Sequence, residues 1–99
     1  MIYLCDRMRH LICVPYSVDN LHRMAEHLNI KRCWFDRDHY DIPKCRIEEI
    51  QAKCEIVLPK VIAQIVRGDE ENSLKAQDFF KSKIRIQEET IQTETGKED

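Results

Sequence analysis

The stretch SVDNLHRMAEHLNIKRCWF, residues 17–35, decides the fold that this sequence predicts. Ser17 is a favourable N-cap, and the residues after it place one apolar stripe along a helix, at Leu21, Met24, Ala25 and Leu28. Asn29 readily adopts the left-handed conformation that closes a helix. Residues 30–35 end in an aromatic pair and predict a strand directly after the helix.

The remainder of the first 68 residues extends this alternation. Residues 2–5 and 55–58 predict short strands, and Pro43 and Pro59 each suit the first position of a further helix. The order β-α-β-α-β-α predicts an α/β fold with a small three-stranded, mostly parallel sheet. The sequence leaves two interpretations of residues 11–14. They form either a strand antiparallel to the first or an apolar segment that leads into the helix.

Charge separates residues 1–68 from residues 69–99. The first part holds 11 Lys/Arg against 9 Asp/Glu, and the second holds 5 against 9. We therefore predict an α/β core domain over 1–68 and an acidic C-terminal segment over 69–99, with a helix over 69–83 and a frayed end. Phe79 and Phe80 either dock on the core or contact a partner. We therefore expect that this segment could bind a protein partner or form a homodimer.

The composition is that of an ordinary globular protein, with 42% hydrophobic residues, 34% charged residues and a net charge of −2. No apolar run approaches the roughly 18 residues of a membrane span, and the start lacks a secretory leader, so we expect a cytoplasmic protein without membrane contact. The five cysteines are an odd number with no C-x-x-C spacing, which favours reduced thiols over disulfides or a zinc knuckle. Two glycines exclude a P-loop and a G-x-G-x-x-G turn.

Two charged segments, residues 6–10 and 36–41, each follow a predicted strand. Because ligands bind at the carboxyl ends of parallel strands, we expect both segments at one site. Their oxygen and imidazole groups suit a divalent Mg, Mn or Zn ion, with these expected metal ligands: Asp6, Asp38, His39 and Asp41. Of these, His39, Asp41 and Asp6 are the expected catalytic residues, since a carboxylate beside a histidine can orient it as a general base.

Further residues are expected to bind the substrate: Arg7, Arg9, His10, Tyr40 and Trp34. The arginines would hold a phosphate or carboxylate, and Trp34 would line the cleft. The plainer interpretation is that Asp38 or Asp41 caps backbone amides at the entry to the next helix and that Trp34 packs in the core. His22 lies next to the apolar stripe of the first helix and His27 faces away from it, so both are expected to be surface or boundary residues.

Several of these segments resemble the uncharacterised bacterial and phage family known as domain of unknown function 4031. The likeness lies in a first strand that ends in Asp6, a Leu-His-x-x-Ala helix at residues 21–25, the aromatic pair Trp34-Phe35, and the His-Tyr-Asp motif at residues 39–41. It covers about residues 1–68. The family's aspartate before the first helix has no counterpart here, because Cys13, Val14 and Pro15 follow His10-Leu11-Ile12. The resemblance implies no reaction, but it draws attention to residues 39–41.

Three functional hypotheses follow. The first is a metal-assisted hydrolase or transferase that acts on a phosphate-containing substrate, a nucleotide or nucleic acid. The alternative is a non-catalytic accessory module that contacts a protein partner or a small ligand. A third is direct nucleic-acid binding through a set of arginines, which the near-neutral charge disfavours: Arg7, Arg9, Arg32 and Arg37.

Overall fold

A computed structural model describes residues 1–80 of the chain. This part contains five strands: β1 (Ile2–Cys5), β2 (His10–Val14), β3 (Phe35–Asp36), β4 (His39–Asp41) and β5 (Glu55–Ile56). They form one mixed sheet in the order β3-β4-β2-β1-β5. Only the β1–β5 pair is parallel, and the other three pairs are antiparallel.

Helices cover both faces of this sheet. They are α1 (Val18–Leu28), α2 (Ile47–Gln51), α3 (Pro59–Arg67) and α4, which runs from residue 70 to residue 80 where the described part ends. Two 3-10 turns, Arg32–Trp34 and Lys44–Arg46, precede β3 and α2.

The predicted three-stranded, mostly parallel sheet is therefore wrong. Residues 11–14 belong to a strand that pairs with β1 through a tight turn, in which Arg9 has a φ of 71°. Residues 36–42, read from the sequence as a polar loop, contain most of a second hairpin, whose turn residue Arg37 has a φ of 61°. Of residues 30–35, which were predicted as a strand, only Phe35 belongs to one, and Arg32–Trp34 form a 3-10 turn. The β1–β2 and β3–β4 hairpins each pair strands that follow one another in the sequence, so these pairs are antiparallel and the sheet is mostly antiparallel.

The first helix follows its prediction. The Ser17 hydroxyl accepts a hydrogen bond from the Asn20 amide at 3.0 Å, and Asn29 ends the helix with a φ of 57°. Its apolar stripe is buried against the sheet. Each such cap contributes about 1 kcal/mol to helix stability.

The last described helix, α4, packs against the same core. Gln77 is buried, and its side-chain carbonyl accepts a hydrogen bond from the Tyr16 amide at 2.9 Å. The Ser73 hydroxyl donates to the Ile65 carbonyl at 2.6 Å, and Phe80 is buried in the core. Of the expected alternatives for the phenylalanines, Phe80 thus docks, whereas Phe79 stays largely exposed. The predictions for residues 81–99 lie outside the described residues.

All five cysteines are free thiols, as predicted. Cys5 and Cys13 are buried, Cys54 is half-buried, and Cys33 and Cys45 are exposed. Burial raises the pKa of the Cys13 thiol to about 12, so this thiol is protonated and unreactive at neutral pH. No helix among residues 1–80 has the length and apolarity needed to cross a bilayer.

Replacing Phe80 with alanine tests the docking of α4. We expect Phe80→Ala to lower the free energy of unfolding by about 3–5 kcal/mol, because it leaves a cavity in the core. The neighbouring Phe79→Ala is the matched control and should cost much less, since that side chain is 65% exposed. Urea unfolding followed by circular dichroism measures both, and equal losses would contradict the docking.

Candidate metal centre

Three side chains that could hold a metal ion meet on one face of the sheet. His10 lies opposite Asp41 in the β2–β4 pair, and His39 lies two residues before Asp41 on the same strand. Side chains two apart on a strand share a face, as do directly opposed residues of paired strands. One ligand atom from each of the three residues lies within 4.8 Å of the other two.

The ring of His10 is held by a buried carboxylate. Asp6 is completely buried, and its Oδ2 lies 2.7 Å from His10 Nδ1. Its Oδ1 accepts hydrogen bonds from the backbone amides of Met8 at 2.8 Å and His10 at 3.0 Å. A carboxylate can only accept, so a neutral His10 ring that donates from Nδ1 to Asp6 has the lone pair of Nε2 available for a ligand.

The ring of His39 lies between two carboxylates. Its Nδ1 is 2.7 Å from Asp38 Oδ1, and its Nε2 is 3.3 Å from Asp41 Oδ1. If Nδ1 donates to Asp38, a neutral ring turns a lone pair towards the Asp41 oxygen. That arrangement is repulsive unless a positive charge, either a second ring proton or a metal ion, lies between the two atoms. The His39 ring is therefore placed between two acidic side chains that could share a cation with it.

Asp38 connects His39 to α3. Its Oδ2 accepts a hydrogen bond from Arg67 Nε at 3.3 Å, and its backbone carbonyl accepts one from the Tyr16 hydroxyl at 2.8 Å. Partial burial opposes ionisation of the carboxyl, but the hydrogen bonds from His39 and Arg67 outweigh it and lower the pKa of Asp38. The carboxylate is thus ionised at neutral pH and can orient the His39 ring.

The opposite face of β4 carries a structural contact. Tyr40 points to the α1 side, where its hydroxyl lies 2.7 Å from His22 Nδ1 and its ring packs against Phe35 with a centroid distance of 5.4 Å. Only 1% of Tyr40 is exposed, and burial raises the pKa of its phenol. This bond ties the strand that carries His39 and Asp41 to the first helix.

A cleft adjoins the cluster between the sheet and α3. Its volume is about 210 Å³. The sheet side contributes His10, Asp38 and His39, whereas α3 contributes an apolar wall and ends in a guanidinium group: Pro59, Ile62, Ala63, Val66 and Arg67. The two imidazoles are 4.9 Å apart edge to face, so one side of the cleft is formed by the histidine pair.

Of the predicted metal ligands, the structure places His39 and Asp41 in the cluster. Asp6 and Asp38 are outside this group of three, and each contacts the Nδ1 atom of one histidine ring at 2.7 Å. His10, expected to bind substrate, belongs to the cluster itself.

The other predicted substrate-binding residues lie apart from the cleft. Arg7 is exposed in the β1–β2 turn. Arg9 is half-buried, and its Nη1 donates a hydrogen bond to the Ile42 carbonyl at 3.5 Å. Tyr40 faces the other side of the sheet. Trp34 lies in the 3-10 turn before β3 and is 37% exposed, so it is neither a core residue nor part of the cleft lining.

The sequence does not single out Arg67, because nothing in its neighbourhood marks it as a partner of Asp38. His22 is half-buried beside the apolar stripe of α1, which agrees with a boundary position, but its contact with Tyr40 was not predicted.

Comparison with known proteins identifies the family. The family described as "Protein of unknown function (DUF4031)" matches residues 3–57, which is more than half of the 99-residue chain. The chain therefore belongs to this family, and the resemblance noted in the sequence is confirmed. No curated protein and no solved structure matches the chain. The matched range includes all three residues of the cluster but ends before α3.

The bond between Tyr40 and His22 is expected to stabilise the fold. Tyr40→Phe removes only the hydroxyl and should lower the free energy of unfolding by about 1–2 kcal/mol, because it leaves a half-buried imidazole without its partner. Tyr3→Phe is the matched control, since it removes a similar bond, 3.1 Å to His27 Nδ1, at an exposed position. Urea denaturation should show the smaller loss for Tyr3→Phe, and the reverse order would refute this role of His22.

Proposed function

We propose that this member of the DUF4031 family is a metal-dependent hydrolase or transferase that acts on a small phosphate-containing substrate. The proposed metal is a divalent transition ion, with Zn²⁺ as the first choice, held by His10, His39 and Asp41. The observation that carries the proposal is the pairing of each imidazole with a carboxylate through Nδ1. Such outer carboxylates orient histidine ligands and raise their basicity in metal sites.

The distances support a metal ion of this kind. Ligand atoms around a tetrahedral ion with bonds of about 2.0 Å lie about 3.3 Å apart. His39 Nε2 and Asp41 Oδ1 already have this separation, at 3.3 Å, and the third ligand atom lies within 4.8 Å. Binding therefore requires the His10 ring to move slightly closer to His39 and Asp41.

Two imidazoles and one carboxylate favour a transition ion over Mg²⁺, which prefers oxygen ligands. Three protein ligands leave a coordination position for water, and this is the arrangement of catalytic rather than structural zinc sites. A bound ion of this type lowers the pKa of its water and polarises a phosphoryl oxygen. In the hydrolysis that we propose, a water molecule would lose a proton and its oxygen would attack phosphorus, while the ester P–O bond would break with its electron pair on the departing oxygen, which would take up a proton and leave as an alcohol.

Zinc titration of the reduced full-length chain tests this proposal. The exposed thiols Cys33 and Cys45 are replaced by serine in all samples, so that they do not compete for zinc. We expect one zinc ion per chain by calorimetry, with NMR shifts confined to the imidazoles of His10 and His39. His39→Ala should weaken binding more than about 100-fold, because it removes a ligand and not only an outer partner.

His27→Ala is the control, since that histidine is exposed on α1 and contacts Tyr3 instead of the cluster. Zinc-dependent release of nitrophenol from p-nitrophenyl phosphate by the parent, lost in His39→Ala, would support the enzymatic function. If zinc does not bind at the two histidines, His39 is simply a structural link between two carboxylates. The non-catalytic binding module then becomes the better hypothesis.

Asp6→Asn tests the role of the buried carboxylate. The new amide group would donate to His10 Nδ1 and shift the ring proton to Nε2, which is then unable to bind a metal ion. Zinc affinity should fall about 10–100-fold, the range typical for loss of such outer partners. Calorimetry on Asp6→Asn and on the exposed control Asp19→Asn, with circular dichroism to verify folding, measures the effect. Unchanged affinity in a folded Asp6→Asn protein would show that the carboxylate does not prepare the ligand.

A further inference from the structure

The cleft beside the cluster has one polar side and one apolar side, and this division indicates what it binds. We infer that the substrate is a phosphomonoester with one flat apolar group, whose phosphate is held by Arg67 together with the metal ion and whose apolar group packs on α3. This inference rests on the proposed function, because the metal ion supplies the second contact to the phosphate.

Arg67 is well placed to bind an anion. Its Nε contacts Asp38 at 3.3 Å, while its side chain is 68% exposed at the end of the cleft. One N–H thus contacts Asp38, the carboxylate that also contacts His39 Nδ1, and both Arg67 and His39 line the cleft. The two terminal amino groups form a fork that matches two oxygens of a phosphate.

The charges around the cleft make anion binding depend on the metal ion. Asp6, Asp38 and Asp41 carry three negative charges against the single positive charge of Arg67. With neutral histidines this group has a net charge of −2 and repels phosphate. A divalent ion brings the same group to neutrality and offers the phosphate a direct ligand position.

The other wall of the cleft is apolar and small. Ile62, Ala63 and Val66 lie on one side of α3 and face the imidazole pair across the cleft. A volume of about 210 Å³ suits a single ring more than an extended chain. The whole chain has a net charge of −2, so charge does not favour a polymeric nucleic acid. These features favour a monoester over a polymeric phosphodiester.

The experiment compares the binding of phenyl phosphate, inorganic phosphate and a single-stranded oligonucleotide to the full-length chain, with and without zinc. We expect phenyl phosphate to bind only the zinc-loaded protein and more tightly than inorganic phosphate or the oligonucleotide. Arg67→Gln should weaken phenyl phosphate roughly 10–100-fold, the range for loss of a charge-assisted hydrogen bond, and should change zinc affinity much less, because Arg67 reaches His39 only through Asp38. Arg23→Gln, an exposed change on α1, is the matched control and should alter neither affinity.

A second variant tests the apolar wall. Ala63 is exposed on the helix and lines the cleft, so Ala63→Gln should fill the space without disturbing the core. It should weaken phenyl phosphate but leave inorganic phosphate unchanged.

The failures of the two proposals are distinguishable. If zinc binds but Arg67→Gln leaves phenyl phosphate unaffected, or lowers zinc affinity by the same factor, the assignment of Arg67 is overturned and the metal site stands. Binding of phenyl phosphate to the metal-free chain, or tighter binding of the oligonucleotide, also overturns it. If no zinc binds at the histidines, both proposals fall.

Discussion

The buried carboxylate of Asp6 is the group on which the rest of the structure depends. An unpaired carboxylate in the core would be very costly, and here it accepts three hydrogen bonds, two from backbone amides and one from the His10 ring. The same contacts close the turn between β1 and β2 and start β2 at His10. Since β2 is the central strand of the sheet, this turn sets where every other strand lies. One buried charge thus links the fold of the hairpin to the position of a candidate metal ligand.

Side chains alternate along β4, so the residues of the cluster lie on one face of the sheet and the packing contacts of this strand lie on the other. His39 and Asp41 point to the α3 side with His10, whereas Tyr40 points to α1 and contacts His22. A shift of one residue in this strand would exchange the two sets and put the imidazole and carboxylate into the packed α1 face. The buried Tyr40 therefore holds the register on which the cluster depends. In this way, an aromatic contact on one face specifies the geometry on the other.

The helices and the strands β1 and β5 could be predicted and β2 was one of two open alternatives, whereas β3, β4 and the mostly antiparallel pairing could not be predicted. The cap at Ser17, the apolar stripe of α1 and the left-handed Asn29 are local features, and local physics determines them. β3 and β4 contain only two and three residues, and the polar side chains of β4 face the cluster. Such a strand lacks the apolar alternation by which strands are recognised, so it resembles a loop in sequence. The parallel sheet was inferred from the alternation of strands and helices along the chain, and the two hairpins interrupt this alternation.

The sequence by itself determined which chemical groups are present, the limits of α1 and the membership of a family without an assigned reaction. It also singled out both charged segments as parts of one site, but it predicted that they meet at the carboxyl ends of parallel strands. Only the tertiary structure decided that His10 lies opposite Asp41, that Asp6 and Asp38 contact the histidine rings, and that Arg67 borders the cleft. The physical reason is that register and helix packing are set by long-range contacts between residues far apart in the chain. Composition and spacing along a sequence carry little information on such contacts.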